Sequence, residues 1–300
     1  MTEPAGALPD RTLAERLRAG FAGLTRAERQ LADAILEDYP MSGLGSITAV
    51  AERAGVSTPT VLRMARKLGF EGFPEFQSAL HDELGAMVSG PLAKRERASE
   101  ARWLSDAPSA HILNRMADAV MANLQGSLRH LDAEAFDAIA ARLADPAAQV
   151  FVVGGRITHA LADYLFTQLQ VMREGVRLMP PGANTWPHDV LGMRAGDTLV
   201  VFDIRRYERE LLRLCDMAQA RGAVPVVLTD QWGSPLTARA AHSLRARIEV
   251  PSAWDSTVVL TMLVEALLAA VQERDWEGTA RRMQALEGLF DTTGLFRKFT

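Results

Sequence analysis

The stretch SITAVAERAGVSTPTVLRMARKLG, residues 46–69, decides the N-terminal fold. Ser46 is placed to cap a helix from Ile47 to Ala54, which Gly55 ends by adopting a left-handed conformation that residues with a Cβ resist. Ser57 or Thr58 caps a second helix, with Pro59 in its first turn, where a missing N–H costs nothing. That helix runs to Leu68 and stops at Gly69. Two short helices joined through Gly-Val-Ser match a helix-turn-helix, a unit whose second helix enters a DNA major groove. Ala51 is small where the helices must approach. Ile47, Val50, Val56, Val61 and Leu62 form a shared apolar seam, which Met64 and Leu68 tie to the flanking helices. The opposite side presents Ser57, Thr58, Thr60, Arg63, Arg66 and Lys67, and from Arg53 to Lys67 there are four basic residues and no acidic one. Thr58 and Thr60, near the helix start, are expected at base edges and Arg63 at bases or phosphate; Ser57, Arg66 and Lys67 are expected at phosphate. The same pattern also fits a helical bundle used for protein contacts, since cations favour the carboxyl end of any helix.

Working outward, Thr12 to Phe21 has helical apolar spacing, and Thr25 with Glu28 is a capping-box pair opening a helix that Pro40 closes. A further helix begins near Pro74 and reaches about Leu84. Phe70, Phe73 and Phe76 read as core packing, because no Lys or Arg lies between Gly69 and Leu92 to draw a nucleic-acid strand to them. Small residues and a proline in Gly85–Pro91 mark a boundary. Leu92 to Leu131 reads mostly as helix, with breaks near Asp106–Pro108.

After residue 148 the texture changes. Gln149–Val153, Val176–Met179, Thr198–Phe202 and Val224–Leu228 are short β-branched runs, separated by enough chain for crossovers, and Arg247–Val250 is a candidate fifth strand before a helix from Thr257 to Gln272. Strand-helix-strand order without hairpin turns predicts a doubly wound parallel sheet. The fold class is therefore an all-α helix-turn-helix domain followed by an α/β domain. Gly154 and Gly155 end a buried strand where backbone N–H groups can cradle a phosphate or carboxylate. A second loop, Asp203-Ile204-Arg205-Arg206-Tyr207, opens on the same crevice, because ligands in such sheets bind beyond the carboxyl ends of the strands. Arg156, Arg205 and Arg206 supply positive charge for an anionic ligand, or else pair with Asp203, Glu208 or a partner subunit. The dinucleotide fingerprint G-x-G-x-x-G is absent, and no cofactor is expected.

Composition sets bounds on these readings. The 300 residues are 48% hydrophobic and 23% charged, with a formal net charge of -4. This excludes a protein that is basic throughout, but not one with a local basic face. Residues 1–90 hold 9 basic and 12 acidic side chains, so the cations of residues 53–67 stand out locally. The single cysteine, Cys215, cannot form an intrachain disulfide and points to a reducing compartment. No export signal or membrane span is visible, which makes the cytoplasm the expected location. The six histidines are dispersed, and no metal site is expected.

LTRAERQLADAILEDYP (residues 24–40), SITAVAERAGVSTPTVLRMARKLGFEGFPEFQSAL (residues 46–80) and the sheet-containing region together resemble the RpiR/MurR type of bacterial transcription regulator. The resemblance implies an operator-binding domain over residues 1–90, a helical linker over 91–131, and a sugar-isomerase-type (SIS) module over 132–300 that binds an effector and self-associates. It implies a homodimer or higher homo-oligomer, a near-palindromic duplex operator, and a small anionic metabolite or sugar derivative as effector. Gly154, Gly155, Arg156, Thr158, Asp203, Arg205, Arg206 and Tyr207 are the effector-site candidates. Two departures bear on the ligand. Arg156 replaces the second glycine of the usual G-x-G-x-S, with Thr158 keeping a hydroxyl at the serine position. Asp203-Ile204-Arg205-Arg206-Tyr207-Glu208 replaces the usual S-x-S-G-x-T phosphate loop. Thr229 and Ser234-Pro235-Leu236 do resemble the later T…SPL segment. A sugar-phosphate isomerase with Glu265, His188 or His242 as base is the enzymatic alternative; the rewritten loop argues against it, and the expectation is a protein that is not an enzyme.

Overall fold

The computed structural model describes residues 12–100, 111–294 and 296. By their contacts these fall into two units. One runs as far as His130 and takes in Arg247–Ser256; the other holds Leu131–Ala246 and the chain from Thr257 on.

In the first unit, α1 (Leu13–Gly20) and α2 (Arg26–Glu37) open with the same device. Thr12 and Glu15, and again Thr25 and Glu28, exchange side-chain and backbone hydrogen bonds as capping boxes. Then come α3 (Ile47–Arg53) and α4 (Thr58–Lys67), joined through Gly55 at φ 64°, the left-handed turn the sequence requires. Val50, Ala51, Val61 and Met64 are buried in one cluster with Leu31 and Ile35 of α2 and Phe73, Phe76 and Leu80 of α5 (Phe73–Val88). Leu62, expected in this seam, is half-buried and lies outside the cluster. Phe76 packs edge-on to Phe70 at 5.6 Å and against Phe73 at 6.1 Å, as core aromatics do. α5 continues through Gly85 to Val88, and α6 (Pro91–Glu100) begins after Ser89–Gly90, still within the first unit. α7 spans Ile112–Arg129. The break expected at Asp106–Pro108 lies outside the described residues.

α1 is fastened to α5 by a buried carboxyl group. Glu83 accepts from the Leu13 N–H at 2.6 Å and from the Tyr39 hydroxyl. Burial raises its pKa to about 7, against the lowering effect of those two donors.

Arg247–Val250 is not the fifth strand. Ile248 and Val250 are buried while Arg247 and Glu249 are half-buried, an alternation that imitates a strand. The segment has no ladder partner; its backbone bonds instead to side chains of α7, with Arg247 N–H donating to Ser127 Oγ (2.8 Å) and Asn123 Nδ2 donating to the Glu249 carbonyl (2.7 Å). Arg247 also pairs with Glu15 at 2.9 Å, and Asp255 with Lys94 at 2.6 Å.

The second unit begins with α8 (Ala133–Ala144) and holds five parallel strands: β1 (Val150–Gly154), β2 (Val176–Leu178), β3 (Thr198–Asp203), β4 (Val224–Asp230) and β5 (His242–Ala246). Their order is β2-β1-β3-β4-β5. Between them and after them run α9 (His159–Met172), α10 (Trp186–Gly192), α11 (Arg209–Ala220), α12 (Val258–Arg274) and α13 (Trp276–Thr293). β1 and β3 are buried along their whole length, which is why they read as unbroken apolar runs rather than alternating ones. The chain reverses its winding between β1 and β3, and sheets of this kind bind ligands beyond the carboxyl ends of the strands at such a switch point.

A carboxyl group whose folded pKa exceeds its ordinary value favours the fold fully at low pH, and that contribution is lost as pH rises through about 7. Chemical denaturation at pH 5 and pH 8 should therefore find the unfolding transition of the first unit weaker at pH 8. Glu83→Gln, which keeps an acceptor for Tyr39 without a charge, should flatten that dependence.

Candidate functional site

α4 carries its polar residues on two arcs. Ser57, Arg63, Arg66 and Lys67 are exposed and Thr58 is half-buried. Thr60 is only 4% exposed, so the expectation that it meets base edges is corrected. At 100° per residue it shares the inner arc with Val61, Met64 and Ala65. Its hydroxyl lies 3.0 Å from Ser57 Oγ and accepts from Arg63 Nη2 at 3.1 Å. Thr60 thus orders the two side chains beside it. Ser57, expected to cap α4, makes no side-chain cap bond because its hydroxyl is turned to Thr60.

Lys67 is not a freely solvated cation. Its Nζ lies 2.7 Å from Glu28 Oε2 and 3.4 Å from the Gly23 carbonyl, tying the end of α4 to the start of α2. Burial works against the charge on Glu28, but the Lys67 ammonium and the Thr25 N–H and hydroxyl outweigh it and hold its carboxyl below the ordinary value. Sequence reasoning recognised Glu28 only as a helix cap. Nothing local marks it as the partner of a residue 39 positions away.

In the crevice of the second unit, Gly154 and Gly155 are both needed. A Cβ on Gly154 would lie 2.5 Å from the Thr158 backbone, and one on Gly155 would lie 2.6 Å from Glu208 Oε1. Two donors of this turn are already engaged. Gly155 N–H donates to the Phe202 carbonyl (3.2 Å), and Arg156 N–H to Glu208 Oε1 (2.7 Å). Thr158, expected to offer its hydroxyl, is buried and donates to the Phe202 carbonyl at 2.7 Å, stitching β1 to β3.

The second loop is likewise satisfied from within. Asp230 is completely buried at the end of β4 and accepts from Arg205 N–H (2.7 Å), the Tyr207 hydroxyl (2.9 Å), Trp232 N–H (3.1 Å) and Gly233 N–H (3.2 Å). Asp203, also buried, accepts from the Ser234 hydroxyl and from Glu208 N–H at 3.3 Å. Burial pushes the pKa of Asp203 up to about 7, with Ser234 and the Glu208 N–H pulling the other way, and burial also raises that of Asp230. Arg205 lies over the Trp232 ring at 4.6 Å, whereas Arg156 and Arg206 are exposed. Arg206 has φ 68°, the one non-glycine in the left-handed region among the described residues. The two candidate loops are therefore joined through Glu208, and the chain's own carboxylates engage backbone donors of both.

The remaining candidates lie apart from this arrangement. Glu265 is exposed on α12 and accepts from the Tyr164 hydroxyl of α9 at 3.1 Å. His188 is exposed and His242 half-buried at the start of β5. Burial pushes the Cys215 thiol up to about 12, leaving almost no thiolate near neutral pH. Among the described residues no three His, Cys, Asp or Glu side chains are grouped to hold a metal ion, and no helix is long and apolar enough to cross a membrane.

Two protein families match parts of this chain. Residues 11–87 match the helix-turn-helix domain of the rpiR family, and residues 143–270 match the SIS domain. The HTH-type transcriptional regulator HexR of Pseudomonas aeruginosa is 29% identical over 257 residues, covering 84% of this chain and 83% of its own. The regulator RpiR of Escherichia coli is 24% identical over 226 residues, covering 75% and 72%. Among solved structures, the sugar isomerase domain of an RpiR transcription factor from Sphaerobacter thermophilus superposes with a TM-score of 0.56 at 24% identity, over 59% of this chain and 99% of that one. The NanR protein of Vibrio vulnificus, complexed with ManNAc-6P, does so with 0.55 at 21% identity, over 95% and 100%. At these identities the two structures speak for the fold.

The contact between Lys67 and Glu28 can be weighed by a double-mutant cycle. Lys67 remains 44% exposed, so solvent screening should hold its coupling to Glu28 to about 1 kcal/mol or less. Glu28→Gln alone should cost about 1 to 2 kcal/mol, because it also weakens a capping box. Both are read from urea denaturation of the single and double variants.

Proposed function

We propose, from the match of residues 11–87 to the rpiR-family helix-turn-helix domain and of residues 143–270 to the SIS domain, that this chain is a transcription regulator of the RpiR type, that α4 reads operator DNA and that a small metabolite bound at the carboxyl ends of the SIS strands controls it. The observation that carries the reading is the outward arc of α4. Arg63, Arg66 and Ser57 stand clear of the core, and Arg63 is steadied by Thr60 before any partner arrives. A cation held in place loses less freedom on binding than a loose one. Thr58 and Arg63 are assigned to base edges, and Ser57 and Arg66 to phosphates. Lys67 reaches a phosphate only by sharing its charge with Glu28. Residues 1–90 serve as the DNA-binding domain, 91–131 as a helical linker and 132–300 as the effector-binding and dimerisation domain.

A single such helix neutralises few phosphates, so a homodimer with two α4 helices on half-sites of a near-palindromic operator follows from symmetry. Exposed apolar side chains support self-association: Leu113 (68%) and Met121 (53%) on α7, and Trp276 (55%) and Leu289 (63%) on α13. The effector is assigned to the carboxyl ends of β1 and β3 as a small anionic metabolite or sugar derivative. Its anionic group would take the backbone N–H of Arg156, which requires that the Glu208 carboxylate now on it move aside.

Duplexes selected from a random pool should include a near-palindromic site. On that site Arg63→Ala should cost about 1 to 3 kcal/mol of specific affinity and relax the sequence preference. Arg66→Ala should weaken binding to specific and random duplexes alike, and lower the slope of log affinity against log salt by about 0.9. Unchanged affinity in both variants, with helical content intact, would remove DNA from the α4 face.

A further inference from the structure

We infer that Glu208 is an internal competitor of the effector: its carboxylate occupies the anion cradle at Gly155–Arg156, and it sets which ligands the crevice accepts. This rests on the assignment of an anionic or sugar-derived effector to that crevice. Three carboxylates face the two loops, and they are not equivalent. Asp203 and Asp230 are buried at 2% and 0% exposure, and each is held by two or more donors. Removing either from its donors would strand a charge in the interior. Glu208 is only half-buried, and a single hydrogen bond, from Arg156 N–H, is recorded for its carboxylate. It is the one of the three that can turn out to water at small cost.

Its placement is not that of an ordinary helix cap. Glu208 stands directly before α11, where a carboxylate would normally serve the free N–H groups of its own helix, yet it makes no such bond. It reaches instead across to a turn 52 residues away in sequence. Gly155 leaves room for that oxygen, since any Cβ there would lie 2.6 Å from Oε1. The space therefore accommodates an oxyanion beside a backbone N–H, and the chain fills it with its own. A phosphoryl or carboxylate group that takes the Arg156 N–H must displace Glu208. If Glu208 stays nearby, the incoming anion also meets a like charge, at an energy that converts to tenfold in affinity for each 1.4 kcal/mol. A neutral sugar meets no such opposition.

The test compares the full-length chain with Glu208→Gln and Glu208→Ala, using glucose 6-phosphate, inorganic phosphate and unphosphorylated glucose as calorimetric probes. Both variants should bind glucose 6-phosphate and phosphate at least about tenfold more tightly than the parent, raising the ratio of phosphorylated to neutral affinity. A purely structural role for Glu208 would move the two sugars together, leaving that ratio unchanged, and would overturn the inference while the crevice assignment stands. Weaker phosphate binding in both variants would also overturn it. If neither the parent nor a variant bound any anionic probe, while circular dichroism showed all three folded, the anionic-effector assignment would fall and the inference with it.

Discussion

A carboxylate buried without donors costs several kcal/mol, and this chain buries five among its described residues: Glu28, Glu83, Asp197, Asp203 and Asp230. Each must recruit donors, and each does so from chain far away in sequence. Glu83 takes the start of α1 and Tyr39, and Glu28 takes the end of α4. Asp197 takes Gln149 N–H from the edge of β1 as well as Arg194 N–H from its own turn, both at 2.8 Å. Asp230 takes Arg205 and Tyr207 from the loop after β3. Apolar burial gathers the helices and the sheet, but it is non-directional. The carboxylates add direction, because their lone pairs are satisfied only at defined positions of the neighbouring element.

The same device has opposite consequences at the two candidate sites. On α4 the recruited donor is at the rim: Glu28 engages Lys67 and leaves Arg63 and Arg66 facing outward, so the structural requirement and an exposed cationic surface coexist. In the crevice the recruited donors are the very backbone N–H groups that the fold places at the carboxyl ends of its strands. Asp203, Asp230 and Glu208 together accept from N–H groups of Arg156, Arg205, Glu208, Trp232 and Gly233. A loop rich in hydroxyls would leave such donors open to a phosphate. A loop that carries its own anions engages them from within.

What the sequence revealed follows the range of the interactions. The Thr25–Glu28 capping box, the left-handed Gly55, the buried strands β1 and β3 and the loops after them are set within a few residues, and all were legible. The pairing of Glu28 with Lys67 joins residues 39 apart and nothing in either neighbourhood announces it; Glu208 was foreseen as a partner for an arginine side chain, whereas it is the backbone N–H of Arg156, 52 residues away, that it engages. Thr60 was misplaced because a hydroxyl is compatible with either arc of α4; only the packing of Val61 and Met64 turns it inward. Arg247–Val250 misled for a different reason. Its two-residue burial rhythm is real, but side chains of α7 rather than a neighbouring strand satisfy its backbone, whereas His242–Ala246 has the partner in β4.

Displacement of Glu208 would also act on the backbone that carries it. Arg206 sits two residues earlier in the left-handed region, where a residue with a Cβ costs about 1 to 2 kcal/mol. The bonds of Asp230 to Arg205 N–H and the Tyr207 hydroxyl fix both of its neighbours and so maintain that conformation. Coupling free energies between ligand sites are typically about 1 to 3 kcal/mol, the same scale as this single strained residue. A ligand that took the place of Glu208 would remove one of the contacts that define the start of α11, and would leave the loop free to exchange part of that strain for a different path. The energy needed to make binding in the crevice felt at the first turn of α11 is thus already present in the loop. A bound anion need only tip a local balance, without having to drive a rearrangement from its own contacts alone.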